Sequence, residues 1–274
     1  MGPVNQRGSG SAVRPGPVFL AIVAVFVLCG LVAWRYGQQA DEQSARIALF
    51  GFVLAGWTIS LCLHEFGHAY FAFRSGDHSV ATRGYLTLDP RKYADITLSF
   101  LIPVLFILIG GIGLPGGAVW IDRNAIPGRL RHSLISAAGP IANALFAVGL
   151  AAAIATVAPP GDDFSALVPG EHGIFWAGLY FLAFLQVTAV LLNLLPIPGL
   201  DGFGIVEPYL PRHWVARANQ YGGYVFLGLI ALLWIPPINR AFFDAVFNLT
   251  DLLGVDQAWI APGNELFRFW QPIN

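Results

Sequence analysis

Charge is what this sequence has least of. Only 11% of its 274 residues are Asp, Glu, Lys or Arg, where soluble domains carry about a quarter. A single lysine, Lys92, and a formal net charge of -1 leave no basic stripe to neutralise phosphates, which excludes a nucleic-acid partner. Cysteine is scarce as well. Cys29 and Cys62 both fall within apolar runs, so a disulfide framework is excluded and both read as isolated buried thiols. Long polar stretches are missing too: no gap between apolar runs reaches the ~50 residues of an independently folding domain, and no internal repeat is visible. What remains is apolar. With 56% hydrophobic residues and a mean hydropathy of +0.63, the chain belongs in a lipid bilayer.

A bilayer core asks for about 20 apolar residues per helix. Five runs supply them: residues 18–34, 47–73, 134–157, 175–195 and 224–235 with its extension. Residues 1–16, rich in Gly, Pro and Ser, read as a disordered tail before an uncleaved first helix, because the first run is longer than a signal-peptide core and lacks a small-residue cleavage site. A sixth run, residues 96–119, is interrupted by Pro103 and ends in a glycine-rich stretch that makes a poor helix. Charge placement chooses its course. If this run enters and leaves on one side, eleven cationic residues (Arg7, Arg14, Arg74, Arg83, Arg91, Lys92, Arg123, Arg129, Arg131, Arg212 and Arg217) share the side of the N-terminus, and four (Arg35, Arg46, Arg240 and Arg268) face the other. A full crossing erases that bias. Positive charge accumulates in cytoplasmic loops, so the run is expected to be re-entrant and the N-terminus cytoplasmic. Irregular backbone at membrane depth is tolerated where it lines a cavity, so this run is expected beside a site. The expected fold class is an all-α polytopic membrane protein of five to six transmembrane helices. Residues 17–248 form its membrane domain, and residues 249–274 form a tail with short helices.

The chemistry starts at His64-Glu65-Phe66-Gly67-His68. Histidines four apart on a helix lie one turn apart on one face, where both imidazoles can share a tetrahedral metal ion. Glu65 sits about 100° round the helix from His64, near enough to act as a base on activated water without binding the metal. Ionisable groups within a span are costly, so the motif's location argues for function, against the plainer reading of a hydrogen-bonded polar patch between helices. A catalytic zinc needs a third ligand and an open position. Asp201 is the candidate, because Pro196, Pro198 and Gly199 end an apolar helix and turn the chain there, although an aspartate in such a turn is ordinarily only a turn former.

These segments resemble the site-2 proteases, intramembrane zinc metalloproteases (peptidase family M50) that cut substrate helices within the bilayer. The matches are His64 to His68, Gly139-Pro140-Ile141-Ala142-Asn143, and the segment from Asn193 to Asp201-Gly202, in the family's order. The resemblance implies one zinc ion held by His64, His68 and Asp201, with Glu65 as base and Asn193 helping to hold the substrate carbonyl. It also implies a short β segment, Gly117, Ala118, Val119 and Trp120, beside the active site as a substrate-binding strand. Two departures are present: Pro196-Ile197-Pro198-Gly199 replaces paired prolines, and the 96–113 insertion is longer than in the shortest members. No PDZ or CBS domain fits in the chain. Regulated intramembrane proteolysis in a prokaryotic plasma membrane is the implied function. The implied partner is a transmembrane protein substrate, such as an anti-sigma factor or a membrane-bound transcription-factor precursor.

The remaining polar and aromatic residues receive plainer readings. Asn143 is expected to cap or bridge helices, Gln186 and Thr188 to pack between them, and His78, His132, His172 and His213 to lie solvated in loops. Trp34, Trp120, Trp176 and Trp234 are expected to anchor the membrane interface. A metal transporter built on the same ligands would need further ligands along a path and would leave Glu65 without a task. A catalytically silent scaffold would not need the four residues intact.

Overall fold

The computed structural model describes residues 13–36, 43–93, 104–105, 107–108, 119–158 and 172–272. Among them the regular structure is helical: an all-α polytopic membrane protein. Four helices are long and apolar enough to cross a membrane: α1 (Pro17–Arg35), α2 (Gln43–Ser75), α3 (Arg129–Val157) and α4 (Gly173–Asn193). Pro17 opens α1 at a position where a missing N–H costs nothing. At 33 residues, α2 is about 50 Å long and overruns a hydrocarbon core of about 30 Å. Short α5 (Asp201–Val206) follows α4, then α6 (Arg212–Leu233), α7 (Pro236–Leu252) and α8 (Gln257–Phe267).

Helices α2 and α4 are the buried pair, and α1 and α3 flank them. The core between them is built from Leu49, Phe52, Trp57, Phe181, Leu182 and Leu185. Small residues let the helices approach, as in membrane interiors generally. A Cβ on Gly67 of α2 would lie 2.7 Å from the Ala138 carbonyl of α3, which pins those helices together at the level of the histidine motif. Ser60 of α2 donates to Gln186 Oε1 of α4, so Gln186 is an inter-helix contact as expected, while Thr188 bonds back to Phe184 O of its own helix at 2.9 Å.

The fifth apolar run is not one straight helix. It stops at Leu233 and resumes as α7 at Pro236, turned by 89°, because a proline donates no backbone hydrogen bond and so opens a new helix. Counting this bent pair as one span gives up to five crossings. Residues 249–252 continue α7, and α8 docks on α4 with Trp259, Ile260, Leu266 and Phe267 buried. Four expectations for single residues change in this setting: exposed His213 lies in the first turn of α6 and not in a loop, and three others follow. Trp176 is buried in the core, not at an interface. His172 stacks on Trp34 at 3.6 Å between ring centroids and hydrogen-bonds the Trp34 carbonyl at 2.7 Å. His132 lies within α3 and bonds Ile126 O at 3.1 Å. Cys29 and Cys62 are free thiols.

The flanks of the sixth run meet at one level of α2. The Tyr93 hydroxyl donates to Cys62 O at 3.1 Å, and the Val119 backbone bonds the Glu65 carboxylate three residues further on. Within the run, residues 104–105 and 107–108 are helical and Ile107 is buried in the core; most of the rest, Gly117 and Ala118 included, lies outside the described residues.

The chain's end is fastened to the start of α2, remote from the histidines. Buried Arg46 donates to Arg268 O at 2.9 Å and to Gln271 O at 2.8 Å, and Gln43 to Phe269 O at 3.2 Å. Hydrogen bonds from a charged group contribute about 1.5–3 kcal/mol each. Arg46→Ala is therefore expected to lower the melting temperature of the detergent-solubilised protein and to open residues 268–272 to proteolysis, read by melting curves and by mapping the first cleavage site.

Candidate metal centre

His64, Glu65 and His68 all lie in the last half of α2, with both imidazoles on one face as the spacing requires. The two Nε2 atoms are 3.1 Å apart. Asp201 arrives from a different part of the chain. After α4 ends at Asn193, the chain turns through Gly199, whose φ of 98° is left-handed and suits glycine, and Asp201 opens α5. Gly202 lies so close to the Leu194 carbonyl that no side chain fits between, so α5 folds straight back on the end of α4. This places Asp201 Oδ2 3.1 Å from His64 Nε2 and Oδ1 3.2 Å from His68 Nε2. Among the described residues, these three side chains form the group able to hold a metal ion.

The far sides of the rings decide what the near sides can do. His68 Nδ1 is 2.7 Å from the Ile135 carbonyl, which only accepts, so Nδ1 carries the hydrogen and Nε2 presents its lone pair. His64 Nδ1 lies 3.0 Å from Asn143 Oδ1 and is turned the same way. Two ring lone pairs and a carboxylate thus face each other. Asp201 Oδ2, despite its place beside His64, makes no hydrogen bond. Such a cluster of acceptors is repulsive until a cation joins it. Tetrahedral zinc with bonds of about 2.0–2.1 Å sets its ligand atoms about 3.3 Å apart, close to the separations here, so the donor set fits that ion. Gly139 of α3 forms the opposite wall: a Cβ there would lie 2.6 Å from His64 Nε2 and closer still to His68.

Glu65 stands beside this group with 1% of its surface exposed. Its carboxylate accepts the Val119 backbone N–H, and Oε2 is buried with no partner. Trp120, next in sequence, is 49% exposed, with the Arg83 guanidinium 4.3 Å from its ring centroid. Of the expected β segment, Val119 lies beside Glu65 and Trp120 packs against Arg83, but neither is in a strand among the described residues. Asn193 is buried at the C-terminal end of α4, eight residues before Asp201.

Three contributors to the site had no site role in the sequence. Asn143 was expected to cap or bridge helices, and it does bridge α2 and α3, but by orienting a histidine of the motif. Its signal was an amide inside an otherwise apolar helix, one turn after Gly139. Gly139 belongs to the Gly139–Asn143 motif, which by itself assigns it no role. The Ile135 carbonyl has no side-chain signal at all.

Two measurements check this geometry. Gly139→Ala is expected to abolish stoichiometric zinc, read by elemental analysis of purified protein that retains its helical spectrum. Asn143→Leu is expected to weaken zinc affinity by about 10–100-fold, as loss of an orienting partner does at other metal sites, whereas Asn143→Asp keeps an acceptor and most of the affinity.

Comparison with known proteins agrees with these features. The chain is 45% identical to "Putative zinc metalloprotease Rip2" of Mycolicibacterium smegmatis, over 97% of this chain and 98% of the relative. It is 44% identical over the same shares to the protein of that name from Mycobacterium tuberculosis H37Rv. "Putative zinc metalloprotease YwhC" of Bacillus subtilis is 30% identical over 74% of this chain and 92% of its own length. No family model matches the chain. No solved structure matches it. With near full-length relatives of this kind, and with the motifs folded into one metal-capable group among membrane-crossing helices, the chain belongs to the site-2 protease family of zinc metalloproteases.

Proposed function

We propose that the protein is an intramembrane zinc endopeptidase that hydrolyses peptide bonds in the transmembrane segments of membrane-protein substrates. One observation carries the reading: three converging acceptors, His64, His68 and Asp201, beside a buried carboxylate with a free oxygen, on helices apolar enough to cross a bilayer. His64, His68 and Asp201 would hold the zinc. When bound, zinc supplies Lewis-acid chemistry, polarising a carbonyl and acidifying water towards neutral pH.

The chain's own residues do the rest. Glu65 uses Oε2 to take the proton of the attacking water, because the other side of the carboxylate is engaged by Val119. It then returns that proton to the departing amine nitrogen. Asn193 donates its amide hydrogen to the oxygen that gains negative charge. Asn143 and the Ile135 carbonyl keep both imidazoles turned inward through the cycle. A helical substrate buries its scissile carbonyl in its own hydrogen bond, so it must unwind first. An unwound stretch pairs with Gly117–Trp120 by strand addition. A single-span membrane protein suits this demand, with an anti-sigma factor or a membrane-bound transcription-factor precursor as the kinds expected in a prokaryotic plasma membrane. Arginine placement supports a cytoplasmic active-site end.

Glu65→Gln separates a base from a ligand. Co-expressed with a single-span substrate, this variant is expected to lose cleavage while zinc stays at about one ion per chain. Unchanged cleavage would remove the protease assignment. Metal transport lost with no cleavage in either form would replace it with a transporter.

A further inference from the structure

The segment that reaches Glu65 and the helix that carries Asp201 are joined by one ion pair. Arg123 Nη1 and Nη2 meet Glu207 Oε1 and Oε2 at 2.5 and 2.8 Å, a two-pronged contact between residues 84 apart in sequence. Arg123 lies four residues after Val119, whose N–H bonds the Glu65 carboxylate. Glu207 follows directly on α5, whose first residue is Asp201. The same segment is tied to α2 by a second contact. Buried Asp77, two residues past the end of α2, accepts the Asp122 N–H at 2.8 Å through Oδ2 and holds Ser79 N at 2.9 Å through Oδ1. Helix α5 is tied to α3 by Ser133 Oγ, which donates to Ile205 O at 2.6 Å.

These contacts close a ring. It runs from the histidines along α2 to Asp77, across to Asp122 and Arg123, through Glu207 into α5, and from Asp201 back to His64 and His68. Between Asp77 and α5 the first step is a side-chain-to-backbone hydrogen bond, the next is covalent chain, and the ion pair is the step made by two side chains. An exposed ion pair contributes little to stability. This one differs in form, because both prongs are made and the Glu207 side chain is only 11% exposed, although that of Arg123 is 57% exposed. A fork of this kind sets both distance and angle.

We propose that Arg123 and Glu207 form a positioning clasp that fixes the Val119–Trp120 edge relative to Asp201, and thereby sets where a scissile carbonyl sits between Glu65 and the metal group. The proposal rests on the protease reading above and deepens it. Arg123 and Glu207 touch neither the reacting atoms nor the metal ligands. Their loss therefore shifts geometry and leaves the metal in place. A misplacement of about 1 Å at a reacting centre costs on the order of 100-fold in rate.

The test uses the full chain in membranes with a single-span substrate, comparing Arg123→Glu, Glu207→Arg and the combined exchange. Each single reversal is expected to cut kcat by about 10–100-fold with KM, zinc content and melting temperature held near the starting protein. The combined exchange, which restores the fork with its charges reversed, is expected to recover most of the kcat. If a single reversal fails to accumulate, Arg123→Gln takes its place with the same expectation. Single variants at full kcat would overturn the clasp. So would an exchange that recovers nothing, or zinc lost together with activity, since the pair would then be holding Asp201 in the metal group and not the edge. Failure of the protease reading looks different: the starting protein and Glu65→Gln would then cleave alike.

Discussion

His64 Nε2, His68 Nε2 and the Asp201 carboxylate lie 3.1–3.2 Å from one another, with both ring hydrogens turned away from the gap. In an interior of low dielectric, three such acceptors repel strongly, and a polypeptide holds them together only if the surrounding framework is stiff or a cation joins them. Here the framework is built for the task. The close contact at Gly67 brings α3 against α2, Asn143 and the Ile135 carbonyl turn the rings, and the turn through Gly199 and Gly202 brings a carboxylate to the same point.

The same arrangement explains why the helices of the site are the buried ones. Helix α2 carries the motif and α4 carries the approach to Asp201, and these two form the core that α1, α3 and α8 enclose. Ligands on rigid helices hold their geometry better than ligands on loops. The far end of α2 is fixed as well, through Arg46 and the chain's last described residues, so both ends of the motif's helix are anchored. Glu65 is the exception to this tight pairing. One of its oxygens is buried without a partner, a costly state that the proposed proton-carrying role would account for.

Periodicity and patterning made much of this legible in advance. An i, i+4 pair of histidines on an apolar run can only share a face, and apolar runs near 20 residues can only be satisfied as helices in lipid, so the four crossing helices and the face of the motif follow from local rules. Charge placement leads to the expectation that the stretch between α2 and α3 returns on one side; its described flanks, Tyr93 and Val119, bond α2 three residues apart. Local rules failed where distant segments meet. The break at Pro236-Pro237 is legible from the prolines, but its angle of 89° is not, because the continuation packs Phe243 and Phe247 against Phe184, a residue far back in the chain. His172 looked like a loop residue, and its stack on Trp34 needed a partner 138 positions away.

The sequence by itself determined the medium, the crossing helices, the family and the three side chains of the metal-capable group, since hydropathy, helical period and a short ordered set of motifs are local properties. The tertiary structure decided which groups touch. It made Asn143 the partner of His64, the Ile135 carbonyl the partner of His68, Gly139 the wall of the metal group, and Arg123 the partner of Glu207. The physical reason is that orientation at a metal-capable site depends on distances of a few tenths of an ångström between atoms far apart in the chain. Those distances are set by helix packing, and no residue's own identity encodes them.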